Sequence, residues 1–181
     1  MKLLTLLTSA ACLAAPVLAQ TPPPHPAPLL RTSTSFDLLV HLPYARAAAL
    51  FGPEGERAWA GKHWDPVFLH PRQSADVEGA VFTIQHGPMK AVWVNTLFDT
   101  AARHFQYVYF LPDLLVTVID VRFTQTSADV TQAHITYTRT AVTPEGNEHV
   151  ASMSEGDKTA GPEWQEAIDA YLAKSKPAIT P

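Results

Sequence analysis

Cysteine is almost absent from this chain. The 181 residues hold one, Cys12, and it falls within a leader-like N-terminal segment, so no disulfide is available to the remainder and its stability must come from packing. Basic clusters are missing as well. Lys and Arg number 13 against 17 Asp and Glu, for a net charge of −4, and no Lys/Arg run occurs. That excludes the electrostatic footprint of a nucleic-acid or anionic-membrane binder. Eight histidines are present, yet His41, His63, His70, His86, His104, His134 and His149 are scattered, with His25 apart in a proline-rich stretch. None forms a His-x-His or His-x-x-x-His pair, so neither a metal site nor a cofactor is expected. No Gly-x-Ser-x-Gly elbow occurs and no serine has a triad context. His63 close to Asp65 reads as a turn or surface pair rather than an oriented base. No catalytic residue is assigned.

What is present begins with compartment. Met1-Lys2 precedes the apolar run Leu3 to Leu18, and Val17-Leu18-Ala19 places small residues at −3 and −1. A basic start, a short apolar core and a small-residue exit describe a signal peptide over 1–19, cleaved before Gln20. The expected location is therefore periplasmic or secreted, with no integral membrane span after cleavage. Ser9-Ala10-Ala11 lacks the large aliphatic residue that a lipidated cysteine requires three positions ahead, which speaks against an anchor at Cys12. Residues 20–31, with Pro22-Pro23-Pro24-His25-Pro26-Ala27-Pro28, read as a stiff polyproline-type tether. A single domain over 32–174 and a loose tail over 175–181 complete the chain.

The domain is dominated by strands. Ala80 to His86, Ala91 to Phe98, His104 to Phe110, Leu115 to Gln125 and Thr131 to Val142 are rich in β-branched and aromatic residues, and short turns separate them. Connections this short impose an antiparallel meander. Alternation points Phe36, Leu38 and Val40 inward, then Ala80, Phe82 and Ile84, then Ile119, Val121 and Phe123. Val92-Trp93-Val94 is apolar on both faces, which implies a convex face that is covered or locally apolar. Before the meander, Pro43 to Leu50 and Glu54 to Gly61 read as short helices, and Val67 to His70 as a short extended piece. A helical pattern with Trp164, Ile168, Tyr171 and Leu172 closes the domain. Gly156, Gly161 and Pro162 interrupt that pattern, so the helix is expected from near Pro162, with Gly146 to Ala160 only partly helical and a candidate lid.

This order resembles the START/polyketide-cyclase (SRPBCC) superfamily, and its wording is similar to a bacterial branch of it. The resemblance spans Ser35 to Lys174. It is carried by Leu50-Phe51-Gly52-Pro53-Glu54-Gly55-Glu56-Arg57, Trp59, Trp64-Asp65-Pro66 and Gly79-Ala80-Val81-Phe82-Thr83. Val92-Trp93-Val94, Phe98-Asp99, Tyr137-Thr138, Glu145-Gly146-Asn147, Trp164-Gln165-Glu166-Ala167 and Tyr171-Leu172 follow in order. The resemblance implies an α+β helix-grip fold: a curved seven-stranded antiparallel sheet wrapped around a C-terminal helix, with two short helices after the first strand. It also implies an apolar cavity between sheet and helix, and no particular reaction.

Candidate cavity residues are the aromatics Trp59, Trp64, Trp93, Phe105, Tyr107, Tyr109, Tyr137 and Trp164. Inward aliphatic and aromatic positions Phe82, Ile84, Ile119, Val121, Phe123 and Ile168 join them. His86 and Asn95 are the strand residues able to aim polar atoms into such a space. Glu54, Glu56 and Arg57 form a charged cluster whose plain explanation is local ion pairing. The expected partner is a small apolar ligand of lipid, isoprenoid or aromatic polyketide class. The alternatives are a cyclase/aromatase-type enzyme and a cavity-less structural or stress-related interaction protein.

Overall fold

The computed structural model describes residues 28–175. The expected signal peptide, most of the tether and nearly all of the tail lie outside the described residues. The domain begins with strand β1 (Arg31–Val40), helix α1 (Tyr44–Ala48) and a 3₁₀ turn at Gly55–Ala58. Strands β2 (Val67–His70), β3 (Val81–His86), β4 (Met89–Asp99), β5 (His104–Leu111), β6 (Leu115–Ser127) and β7 (Val130–Ala141) follow, then helix α2 (Gly146–Ser175). β1 thus starts one residue inside the expected tether, and α2 ends one residue beyond the expected domain.

The strands form one antiparallel sheet in the order β1-β7-β6-β5-β4-β3-β2. Short turns give the meander from β2 to β7, and β1 returns alongside β7 in register from Arg31↔Thr140 to Val40↔Thr131. The sheet stays open, with β1 and β2 as its edges. This is the helix-grip architecture, and the two short helical segments after β1 stand where the sequence places them.

Period-two alternation decides what each face holds. Phe105, Tyr107 and Tyr109 of β5 point inward and are buried, as are Leu115, Ile119, Val121 and Phe123 of β6. Trp93 is inward while Val92 faces out on the convex side, where it pairs with Phe110; both are exposed. The doubly apolar run in β4 therefore reflects a core face backed by an uncovered, locally apolar convex patch.

Helix α2 differs from its expectation. It is one helix from Gly146 to Ser175 with Pro162 inside it, not a helix starting near Pro162 behind a partly ordered lid. Pro162 lies on the exposed side of the helix, as does Lys158, so the Lys158 carbonyl that Pro162 leaves without a donor is open to water. Gly161 is buried against β1, where an added Cβ would come within 3.2 Å of Phe36 Cβ. What reads in sequence as helix breaking is here close packing.

The helix is also fastened along its length. Thr143 Oγ1 caps it by accepting from Gly146 N–H (3.2 Å). Asn147 Oδ1 accepts from Leu30 N–H (2.7 Å), Ser154 meets Thr32 (2.6 Å), and Asp157 binds Arg139. The Gln165 side-chain amide both accepts from Leu39 N–H and donates to Leu39 C=O, each at 2.9 Å. That amide stands in for a missing strand along this stretch of β1.

Candidate functional site

Between the concave face, the segment after α1 and the helix lies a cavity lined by Pro53, Glu56, Trp64, Phe82, Trp93, Tyr107, Ile119, Tyr137 and Trp164. Its volume is about 30 Å³, room for one water-sized group. The sheet sets the floor by register. Phe82 of β3 sits opposite Trp93 of β4, and Tyr107, Ile119 and Tyr137 form a row across β5, β6 and β7. Trp93 and Phe82 stack at 5.8 Å, and Trp64 meets Trp93 edge-on at 5.4 Å. Trp164, from α2, closes the other side against Tyr137 at 6.4 Å.

Glu56 is the unexpected member. In a 3₁₀ turn, residues three apart eclipse one another, so Glu56 and Trp59 share one face, and both are buried. The expected local ion pairing holds only for its neighbours: Arg57 bonds Glu54 at 2.9 Å and Asp65 at 2.8 Å on the outer side. Glu56 is turned away from that cluster. Its Oε1 accepts from Gly52 N–H at 3.2 Å, and it forms no ion pair among the described residues. Burial pushes its carboxyl up to about 8, with the nearby Asp76 adding to the rise and the Gly52 N–H opposing it. Asp76 in turn fixes the loop by accepting from Glu54 N–H (2.8 Å) and Gly55 N–H (3.0 Å). Gly52, at φ 105°, passes over that carboxylate so closely that a Cβ would lie 2.8 Å from Asp76 Cγ.

Two more polar atoms belong to this lining. Tyr107 OH and Trp93 Nε1 are buried without a hydrogen-bond partner among the described residues. Burial holds the Tyr107 phenol well above its ordinary value, and Glu56 and Asp76 push in the same direction. Most buried polar atoms are partnered, and leaving one unmet costs about 1–3 kcal/mol. A bound polar group is what such atoms accommodate.

Further along the sheet, a second buried polar unit ties helix to floor. Arg139 and Asp157 pair bidentately, Nε to Oδ2 at 2.9 Å and Nη2 to Oδ1 at 2.6 Å. Arg139 Nη1 also donates to Thr117 Oγ1 at 3.0 Å and to Tyr109 OH. The guanidinium lies 4.7 Å from the centre of the Tyr137 ring.

Of the residues proposed from sequence, Trp64, Phe82, Trp93, Tyr107, Ile119, Tyr137 and Trp164 line the cavity. Trp59, Ile84, Phe105, Tyr109, Val121, Phe123 and Ile168 are buried but lie outside the lining. Trp59 donates from Nε1 to Leu50 C=O at 2.7 Å, and Tyr109 serves the Arg139 unit. His86 stacks on Tyr109 and Trp93. Asn95 is fully buried and donates to Val77 C=O at 3.1 Å; neither it nor His86 reaches the lining. Among the described residues no group of three or more His, Cys, Asp or Glu converges as a metal site. No described helix is long and apolar enough to cross a membrane. Sequence reading missed Pro53 and the inward Glu56, and also Arg139 and Asp157.

A protonated Glu56 has a measurable signature. The folded chain keeps a proton that the unfolded chain gives up above the ordinary value of 4.5. The stability this adds is complete below that value and is lost as pH rises to about 8. Urea unfolding across this range should therefore show stability falling with pH, and Glu56→Gln should flatten the fall. An unchanged slope in the variant would mean that the native carboxyl is ionised and solvated.

No protein-family model matches this chain, and curated protein sequences contain no match to it. Solved structures do match. Norcoclaurine synthase from Thalictrum flavum, in complex with dopamine and hydroxybenzaldehyde, aligns at TM-score 0.59 and 13% identity over 82% of this chain and 90% of that one. The protein XoxI from Bacillus cereus aligns at TM-score 0.59 and 12% identity, over 80% and 99% of the two chains. MLL2253 from Mesorhizobium loti aligns at 0.56 and 14%, over 81% and 100%. These likenesses establish a shared helix-grip fold.

Proposed function

We propose that this protein is an exported binder of a small, compact apolar molecule carrying a polar group, held in the cavity between sheet and helix. The observation that carries the reading is the lining itself: an aromatic wall in which the Glu56 carboxyl, Tyr107 OH and Trp93 Nε1 have few or no protein partners. Ligand pockets are mostly apolar with a few convergent polar groups. The cavity volume of about 30 Å³ is far below the about 300–1,000 Å³ of ligand pockets, so it takes only a compact group of the ligand, which favours a small compound over a long acyl chain or polyketide. The neighbouring norcoclaurine synthase was solved with dopamine and hydroxybenzaldehyde, both compact aromatic molecules with polar substituents. Export rests on the leader read at Met1 to Ala19, and membership of the START-like superfamily on the motif order together with the fold.

A second reading, an acid–base enzyme, is favoured by Glu56. A carboxyl poised near pH 8 lies where general acid–base chemistry at neutral pH works best. Turnover of the bound compound separates the two.

Native mass spectrometry of the mature protein from its own host, followed by thermal shifts with the compound released, tests the proposal. A near-stoichiometric small molecule should be retained and should stabilise the fold by about 2.7 kcal/mol at a hundredfold excess over Kd. Ile119→Phe, which fills the lining, should abolish retention while the chain stays folded. A protein free of small molecules, with no thermal shift from a panel of single-ring compounds, would overturn the reading.

A further inference from the structure

The cavity contains an ionisable carboxyl without a counter-charge. Glu56 is buried, and the arginines of its surroundings are committed elsewhere. Arg57 is taken by Glu54 and Asp65, and Arg139, which lies behind the Tyr137 ring, is neutralised by Asp157. Aromatic side chains, not cations, share the lining with the carboxyl: Trp64, Trp93, Tyr107, Tyr137 and Trp164. The groups that bear on its charge are Asp76 from the loop before β3, the phenols of Tyr107 on β5 and Tyr137 on β7, and the Gly52 N–H. Trp164, the residue of α2 in the lining, brings no charge.

We propose that this cavity recognises an organic ammonium, a small amine with an apolar body, its charged head placed against the Glu56 carboxylate and the surrounding ring faces. The inference rests on the binding function proposed above and names the charge of its ligand. Aromatic faces carry negative potential and attract cations, more strongly when water is excluded. A buried carboxylate is costly alone and much less so beside a cation. An anion gains no cation in the lining and is opposed by Asp76 nearby and, once it ionises, by Glu56. A neutral alcohol can hydrogen-bond the protonated carboxyl, Tyr107 OH or Trp93 Nε1 but gains nothing from charge. The enclosed 30 Å³ suits a compact head group, with the apolar body lying in the mouth beside the partly exposed Trp64 and Trp164.

Charge balance adds a second signature. An ammonium entering while Glu56 is protonated displaces that proton to the buffer, so the neutral carboxyl becomes the carboxylate that pairs with it.

The test compares benzylamine, benzyl alcohol and benzoate by titration calorimetry at pH 8 on the full mature chain, wild type and Glu56→Gln. Wild type should bind benzylamine about tenfold or more tightly than the alcohol, and benzoate more weakly than the amine, and Glu56→Gln should reduce the amine preference severalfold. In wild type alone, buffers of different ionisation heat should reveal proton release on amine binding at pH 7. Equal affinity for amine and alcohol in wild type would overturn the ammonium inference and leave the binding function standing. So would an amine preference left undiminished by Glu56→Gln, or binding without proton release. Failure of all three probes to bind would overturn the binding function itself.

Discussion

Asp157→Ala is expected to remove about 3–5 kcal/mol of unfolding free energy, as breaking a buried ion pair from one side does. The pair is nearly inaccessible, with side chains 6% and 7% exposed. Deleting the carboxylate leaves the Arg139 guanidinium with Thr117 and Tyr109 and no counter-charge in a dry interior. Thr34, which donates to Asp157 Oδ2 at 3.3 Å, loses its acceptor as well. The loss should appear in urea unfolding as a lower midpoint. The double variant Arg139→Met/Asp157→Leu should recover most of it, because apolar replacement of both partners removes the desolvation penalty along with the attraction. A single-variant loss near 1 kcal/mol would show that the pair behaves as an ordinary hydrogen bond.

Two glycines in one helix should respond in opposite directions. Gly146 is buried at the start of α2, where a Cβ would lie 1.9 Å from Leu114 O and 2.8 Å from Leu114 C. That carbonyl cannot easily yield, because it already accepts from Val142 N–H at 2.9 Å. Gly146→Ala therefore overpacks backbone against backbone, and a loss of about 3 kcal/mol or more is expected, at or beyond the upper end for overpacked sites. Gly156 is exposed with nothing within 4 Å of a built Cβ. Gly156→Ala should raise stability by about 0.5–1 kcal/mol through the lower entropy of the unfolded chain. Thermal unfolding of both variants decides the matter. A shift of the same sign in each would mean that the start of α2 is not packed against the Leu114 carbonyl.

These glycines also mark where sequence reading stopped short. The strands were legible because inward and outward residues alternate, and because the turns between them are too short for anything but a meander. The helix was misread because breaker residues carry no label for which side they face. Gly161 is small to admit Phe36, and Pro162 is harmless because it faces solvent. The floor of the cavity was legible for the same reason as the strands: Tyr107, Ile119 and Tyr137 all stand on inward positions. Arg139 stands on one too, two residues beyond Tyr137, and the alternation of β7 was sufficient to place it. Glu56 was hidden by its surroundings, since a carboxylate next to Glu54 and Arg57 reads as part of an exposed pair. The i, i+3 relation to Trp59 was the signal that separates it. Asp76 and the fastening of α2 depend on contacts between distant segments and had no local signature.

The Gln165 amide on Leu39 has a bearing on how the cavity can be reached. An uncovered strand edge is a template for pairing with another chain, and at Leu39 this edge is closed by one side chain of α2. Lifting the helix to admit a guest would bare that edge and break the Arg139–Asp157 pair in the same movement, inviting self-assembly whenever the protein opened. The Gly52 to Trp64 segment takes no part in any strand ladder. A hinge there would expose Glu56 and its ring of aromatics while Gln165 kept its hold on Leu39, so access to the interior would not bare this stretch of β1.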